Sequence, residues 1–117
     1  MRLFRLLCLL APPLLAPLPA WSHAILMAGS PAPAAAVAPG PLAIELRYNS
    51  RIDAARSLLE LRQPGKPPEA LPHQAPRADV LTATATLAPG SYTLRWQVLA
   101  VDGHITRGDI PFTVRAP

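Results

Sequence analysis

The stretch SYTLRWQVLAV, residues 91–101, decides the fold class. Its apolar and small residues recur at every second position and therefore share one face of an extended chain: Tyr92, Leu94, Trp96, Val98 and Ala100. This period of two is the pattern of a β-strand with one buried face. Trp96, in the middle of that face, is predicted to be a core residue.

Segments of similar character lie on both sides of this strand. LAIELRY, residues 42–48, alternates strictly between apolar and other residues, and VLTATATL, residues 80–87, alternates and is rich in threonine, as strands are. The remaining predicted strands are residues 24–27, 57–62 and 110–116.

Prolines, glycines and polar residues mark the connections between these strands. Residues 29–41 contain four prolines, which exclude a helix and predict an extended surface connection. Residues 49–57 are polar and turn-like, with one helical turn as an option, residues 69–79 are irregular, and residues 102–109 form a loop. About seven short strands without any helical period predict an all-β fold, an immunoglobulin-like antiparallel β-sandwich with Greek-key connections.

The first 22 residues differ from the rest of the chain. Arg2 and Arg5 are followed by an apolar, uncharged run at residues 6–21. A membrane-spanning helix is the competing interpretation, but four prolines interrupt the run, which is shorter than the ~20 clean apolar residues that a span needs. The pattern predicts a signal peptide over residues 1–22 and one domain over residues 23–117.

The sequence leaves the cleavage position open. Small residues are preferred at positions −3 and −1 of the cut. Ala20 and Ser22 satisfy this preference for a cut before His23, whereas Ser22 and Ala24 satisfy it for a cut before Ile25, which would discard the histidine. A cut after Ala20 is a third option.

Composition excludes several function classes for residues 23–117. Nine basic and seven acidic residues give a net charge of +2 with no basic run, so the domain is not predicted to bind nucleic acid. The only cysteine, Cys8, lies in the predicted signal peptide, so disulfides are not expected. No nucleophile, phosphate-loop or zinc-protease motif occurs, and the domain is not predicted to be an enzyme.

Three histidines remain as candidate metal ligands. In Asp102-Gly103-His104, an extended chain would point the carboxylate and the imidazole the same way, but Asp-Gly is also a common hairpin turn that would leave His104 solvated. If the cut falls before His23, its free amine and its ring can chelate one ion, and such nitrogen donors with a carboxylate suit Cu(II). His73, between two prolines, is predicted to be a surface-loop residue.

Together these motifs resemble the CopC family of periplasmic copper-binding proteins. The resemblance rests on His23 after the leader, the PG-x-Y-x-L-x-W-x-V stretch at residues 89–98, VDGHITRG at residues 101–108, and the closing strand. It implies a periplasmic copper carrier or buffer for copper homeostasis or resistance. It also implies one Cu(II) ion per chain, an inner-membrane copper transporter of the CopD type as partner, and a domain that is not membrane-embedded. The implied ligands are His23, Asp102 and His104.

The chain departs from the family pattern in two places. Some members have a methionine-rich Cu(I) site, whereas residues 23–117 contain only Met27, which predicts a Cu(II)-only protein with Met27 as a packing residue. Many relatives have an acidic residue after Phe-Ser, where this chain has Tyr48-Asn49-Ser50. Asn49 or Ser50 is therefore the candidate for a weaker hydrogen bond that supports the N-terminal histidine.

Two other functions are compatible with the pattern. An N-terminal histidine on a β-sandwich also resembles the copper site of lytic polysaccharide monooxygenases, which grip polysaccharide on a flat aromatic face. Most of the four aromatic residues after position 22 are instead predicted to face the core; the four are Tyr48, Tyr92, Trp96 and Phe112. The second alternative is a metal-free structural sandwich domain, with Asp-Gly-His as a plain turn.

Overall fold

The computed structural model describes Pro13 and residues 23–117. The predicted signal peptide therefore lies outside the described residues, apart from Pro13, and so does the proposed cleavage residue Ser22. Within the described part of the chain, no helix is long and apolar enough to cross a membrane.

Residues 23–117 form two packed β-sheets. Nine strands occur in this part of the chain: β1 (Leu26–Ser30), β2 (Ala35–Val37), β3 (Gly40–Tyr48), β4 (Ile52–Arg62), β5 (Glu69–Ala70), β6 (Gln74–Arg77), β7 (Val80–Leu87), β8 (Gly90–Ala100) and β9 (Ile105–Val114). One sheet has the order β1-β3-β7-β6 and the other the order β2-β9-β8-β4-β5. The predicted all-β sandwich of immunoglobulin-like type is confirmed.

The core lies between the two sheets and contains the residues that the alternation in the sequence predicts to be buried. The five alternating residues of β8 are all buried, and so are Ile44, Leu46 and Tyr48 on β3 in the other sheet. The rings of Tyr48 and Trp96 meet edge to face with centroids 5.5 Å apart, a favourable aromatic geometry that joins the sheets. The prediction that Trp96 is a core residue is confirmed.

The segment predicted as a polar turn, residues 49–57, is largely strand. β4 begins at Ile52, and its register against β8 shifts between Asp53 and Leu58. Ser57 Oγ lies inside this irregularity, where it donates to the Asp53 carbonyl at 2.7 Å and accepts from the Leu99 amide at 3.3 Å. The turn prediction and its helical option are wrong because an irregularity of this kind interrupts the two-residue period from which strands are recognised.

Three short strands were missed: six of the roughly seven predicted strands were assigned to segments, and these three bring the total to nine within residues 23–117. β2, β5 and β6 have two to four residues each and lie in segments predicted as irregular or extended. All three sit at sheet edges, and none of their few residues is buried, so they carry no alternating apolar pattern. β2 runs parallel to β9, and the sandwich is therefore not wholly antiparallel.

Several strand boundaries also differ from the prediction, most notably those of the first and last strands. The first strand is Leu26–Ser30, where residues 24–27 were predicted, because its pairing with β3 starts at Leu26. β9 starts at Ile105, inside the segment predicted as a loop, since its pairing with β8 extends to Leu99 opposite Ile105. The connection between β8 and β9 is therefore only residues 101–104.

Gly108 provides a test of the packing between β8 and β9. It lies opposite Trp96 in the register, and an added Cβ would stand 2.4 Å from Trp96 Cζ2. We expect Gly108→Ala to lower the free energy of unfolding by about 3 kcal/mol, because a buried indole cannot yield without repacking the core. Urea denaturation measures the loss.

Gly65→Ala is the matched control for that substitution. An added Cβ at Gly65 meets nothing within 4 Å, although its φ of +74° disfavours alanine. This change should cost about 1 kcal/mol from backbone strain alone. Equal urea midpoints for Gly108→Ala and the unsubstituted protein would contradict the packing argument.

Candidate metal centre

The turn between β8 and β9 carries two of the three predicted ligands. The Gly103 amide donates to the Ala100 carbonyl at 2.9 Å, and the Ala100 amide donates to the His104 carbonyl at 2.8 Å. Gly103 has a φ of +91°, a conformation that favours glycine. The predicted hairpin turn at Asp-Gly is therefore present, and the chain is not extended there.

Within this turn the side chain of Asp102 folds onto His104. Asp102 Oδ1 accepts a hydrogen bond from the His104 amide at 3.1 Å, and Asp102 Oδ2 contacts His104 Nδ1. The His104 side chain keeps 57% of its surface exposed, against 21% for Asp102. The Asp-Gly turn and the pairing of Asp102 with His104 are therefore both present, although the sequence alone predicted one or the other.

His23 lies beside the same turn. Its ring centroid is 4.4 Å from that of His104, with the ring planes 55° apart. Thr106, two residues beyond His104, donates its hydroxyl to the Ala24 carbonyl at 2.7 Å. The structure thus brings together two histidines that are separated by most of the domain sequence, and it places Asp102 against one of them.

These contacts do not yet make a complete ligand set. Within residues 23–117, no three histidine, cysteine, aspartate or glutamate side chains form a group that could hold a metal ion. The ring contact with His23 and the carboxylate contact with Asp102 are pairwise, and both involve His104. The main-chain nitrogen of His23 is also bonded to Ser22 in the 117-residue chain, so it is an amide and not an amine.

Asn49 and Ser50, the two candidates for a hydrogen bond that supports His23, differ in their contacts. Asn49 Oδ1 accepts from the Ile25 amide at 2.7 Å, which places its hydrogen bond two residues beyond His23. Ser50 Oγ is buried and finds no hydrogen-bond partner among the residues that the structure describes, and the same holds for Tyr48 Oη. Burial raises the pKa of the Tyr48 phenol above its usual range.

The third histidine, His73, contacts the protein backbone and stands outside the ring pair formed by His23 and His104. It is half-buried, and its Nε2 lies 2.7 Å from the Ala54 carbonyl oxygen, while Nδ1 lies 3.4 Å from that of Leu71. His73 lies in the loop before β6, as predicted, but its ring is held in place because it ties this loop to the irregular start of β4. Both of its ring nitrogens are turned toward backbone carbonyls, whereas a metal-ligating histidine makes such a contact with only one nitrogen and binds the ion with the other.

Met27 and three other large apolar residues are exposed within four residues of a candidate ligand in the sequence. Met27 is 60% exposed, so the prediction that it is a packing residue is wrong. Ile25, Val101 and Ile105 are the other large apolar side chains that are exposed within residues 23–117. Ile25 and Met27 follow His23 closely in the sequence, and Val101 and Ile105 flank the turn that carries Asp102 and His104.

Comparison with known proteins shows the family. Residues 26–115 match the model of the CopC domain. The chain belongs to the CopC family. The matched range contains Asp102 and His104 but starts after His23, so the case for His23 depends on its position beside His104.

Individual relatives agree with this family assignment. The chain is 32% identical over 100 residues to protein YobA of Escherichia coli K12, covering 81% of each protein. It is 32% identical over 106 residues to copper resistance protein C of Xanthomonas campestris pv. juglandis, covering 82% of this chain and 83% of that one. The crystal structure of CopC from Methylosinus trichosporium OB3b superposes with a TM-score of 0.69 and 33% identity, over 79% of this chain and 93% of that one.

Proposed function

We propose that the chain from His23 onward is a periplasmic Cu(II)-binding protein of copper homeostasis or resistance, acting as a carrier or buffer and not as an enzyme. The observation that carries this proposal is the contact of the His23 and His104 rings beside the Asp102 carboxylate. Membership of the CopC family supports the choice of copper.

The chemistry of the donors fits Cu(II). The candidate site offers two imidazoles, a carboxylate and, once the chain is cut before His23, an amine. Nitrogen donors with one carboxylate are suited to the tetragonal geometry that Cu(II) favours among divalent metals. Residues 23–117 contain a single methionine, which is too few for a separate Cu(I) site built from thioethers. One Cu(II) ion per chain follows.

Cleavage between Ser22 and His23 completes the site in this proposal. The cut converts the His23 amide nitrogen into an amine that can close a chelate with the ring of the same residue. The exposed position of His23 supports the proposal, because the new terminus would face solvent at the metal site. Proton competition for the amine and the imidazoles should weaken binding as the pH falls.

The positions of the aromatic residues argue against a polysaccharide monooxygenase. All four aromatic side chains after position 22 are buried, with Tyr92 stacked on Phe112 and Tyr48 packed against Trp96. None of them is available for a flat face that could grip a sugar chain. The partly exposed rings of His23 and His104 suit ligand exchange with another protein, and we propose an inner-membrane copper transporter of the CopD type as that partner.

A copper titration tests the proposed function. The chain is prepared with His23 as its first residue, verified by mass spectrometry, and titrated with Cu(II) against a competing chelator. We expect one ion per chain and an electron paramagnetic resonance spectrum of nitrogen and oxygen ligation. A protein that binds no stoichiometric copper would be the structural domain of the alternative hypothesis. Sustained peroxide release with ascorbate would instead favour the enzyme.

A further inference from the structure

One peptide unit next to His23 is held at both ends by side chains from distant parts of the chain. Its carbonyl, that of Ala24, accepts a hydrogen bond of 2.7 Å from Thr106 Oγ1. Its N–H, that of Ile25, donates a hydrogen bond of 2.7 Å to Asn49 Oδ1. The backbone N–H of Asn49 in turn donates to the Ile25 carbonyl at 3.0 Å. We call these contacts of Thr106 and Asn49 the terminal clamp.

The terminal clamp spans the two sheets of the sandwich. Thr106 belongs to β9, whereas Asn49 directly follows β3 in the opposite sheet. Ala24, between the clamped peptide unit and His23, is completely buried. A peptide plane fixed at its carbonyl by one sheet and at its N–H by the other has little freedom to rotate.

The clamp lies just before the ladder between β1 and β3, where the Asn49 N–H to Ile25 carbonyl contact is the backbone hydrogen bond that links this segment to the end of β3. Pairing of β1 with β3 begins at Leu26, so residues 23–25 precede the first ladder contact. Chain termini without such contacts are usually mobile. In the cleaved protein His23 would be the terminal residue, and only Ala24 would separate it from the clamped peptide unit.

We propose that Thr106 and Asn49 are positioning residues for the metal site, which hold the His23 chelate against His104. The inference rests on the proposed copper function and deepens it. An N-terminal ligand that is already placed avoids the entropy of ordering a free terminus when the ion binds, so the clamp increases copper affinity without touching the metal.

Thr106 allows a sharp test because its hydroxyl can be removed without changing its shape. Thr106→Val keeps the β-branched side chain of a strand residue but leaves the buried Ala24 carbonyl without its donor. We expect it to weaken Cu(II) binding about tenfold and to broaden or shift the paramagnetic resonance spectrum. Thr106→Ser, which restores the hydroxyl, should return the affinity and the spectrum to those of the unsubstituted protein. Thr113→Val, at an exposed position of the same strand, is the matched control and should change neither.

A double-mutant cycle separates positioning from a general effect on the fold. With one glycine added before His23, the terminal chelate cannot form, and Thr106→Val should then have little further effect on copper binding. An equal loss in both backgrounds would overturn the inference, and so would unchanged affinity and spectrum for Thr106→Val in the protein that starts at His23. If Thr106→Val does not fold, Asn49→Leu tests the other end of the peptide unit with the same measurements. Absence of copper binding by the unsubstituted protein would instead refute the proposed function.

Discussion

Adding one glycine before His23 is expected to weaken Cu(II) binding about a hundredfold. The extension turns the amine of His23 into an amide and leaves its imidazole in place. The ring and the amine of one residue form a chelate, because binding of the first donor brings the second close to the ion. Linking two binding events in this way raises the affinity by roughly 10²–10⁴, and we expect the lower end of that range here. Competition titration of the two forms measures the difference.

The control for this prediction uses the same added residue at the other end of the chain. A glycine placed after Pro117 changes the length equally and leaves the His23 amine free, so it should bind copper as the unextended protein does. Thermal unfolding of both extended forms without copper should also coincide, since residues 23–25 precede the first ladder contact of β1. Equal copper affinity of the two extended forms would show that the amine is not a ligand.

The sandwich could be predicted because its central strands follow the two-residue period. β3, β7 and β8 each bury alternate side chains, and residues 42–48, 80–87 and 91–101 show that alternation in the sequence. The start of β4 could not be recognised, because the shift between Asp53 and Leu58 breaks the alternation. The short edge strands β2, β5 and β6 could not be recognised because each has at most four residues and none of these is buried, so they show no apolar alternation.

Only part of the candidate site could likewise be predicted from the sequence. Asp102 and His104 are two residues apart, so their proximity could be anticipated from sequence, although a turn and not an extended chain produces it. The approach of His23 to His104 came only from family resemblance, because no sequence spacing indicates which loops meet at one end of a sandwich. Thr106 was missed altogether, since a threonine in a strand-like segment carries no signal that its hydroxyl bonds to a distant carbonyl.

His104→Ala is expected to produce the larger loss, about a thousandfold or more in Cu(II) affinity. His104 is the residue that both contacts share, with its ring beside that of His23 and its Nδ1 against the Asp102 carboxylate. Its removal therefore deletes one imidazole and also the group that orients the carboxylate. Loss of a partner that merely orients a ligand typically costs 10- to 100-fold, and loss of the ligand itself should exceed that range. Equilibrium competition with a chelator of known affinity covers the expected span.

His73→Ala is the matched control for His104→Ala, and the two substitutions should have opposite signatures. The His73 ring hydrogen-bonds to the Ala54 carbonyl at 2.7 Å, so its loss should lower the free energy of unfolding by about 1 kcal/mol and leave copper affinity unchanged. His104 sits in an exposed turn with 57% of its side chain in solvent, and its loss should leave stability without copper nearly unchanged. If His73→Ala abolished copper binding while His104→Ala kept it, the metal would lie beside His73 and the start of β4, and His23, Asp102 and His104 would no longer be its ligands.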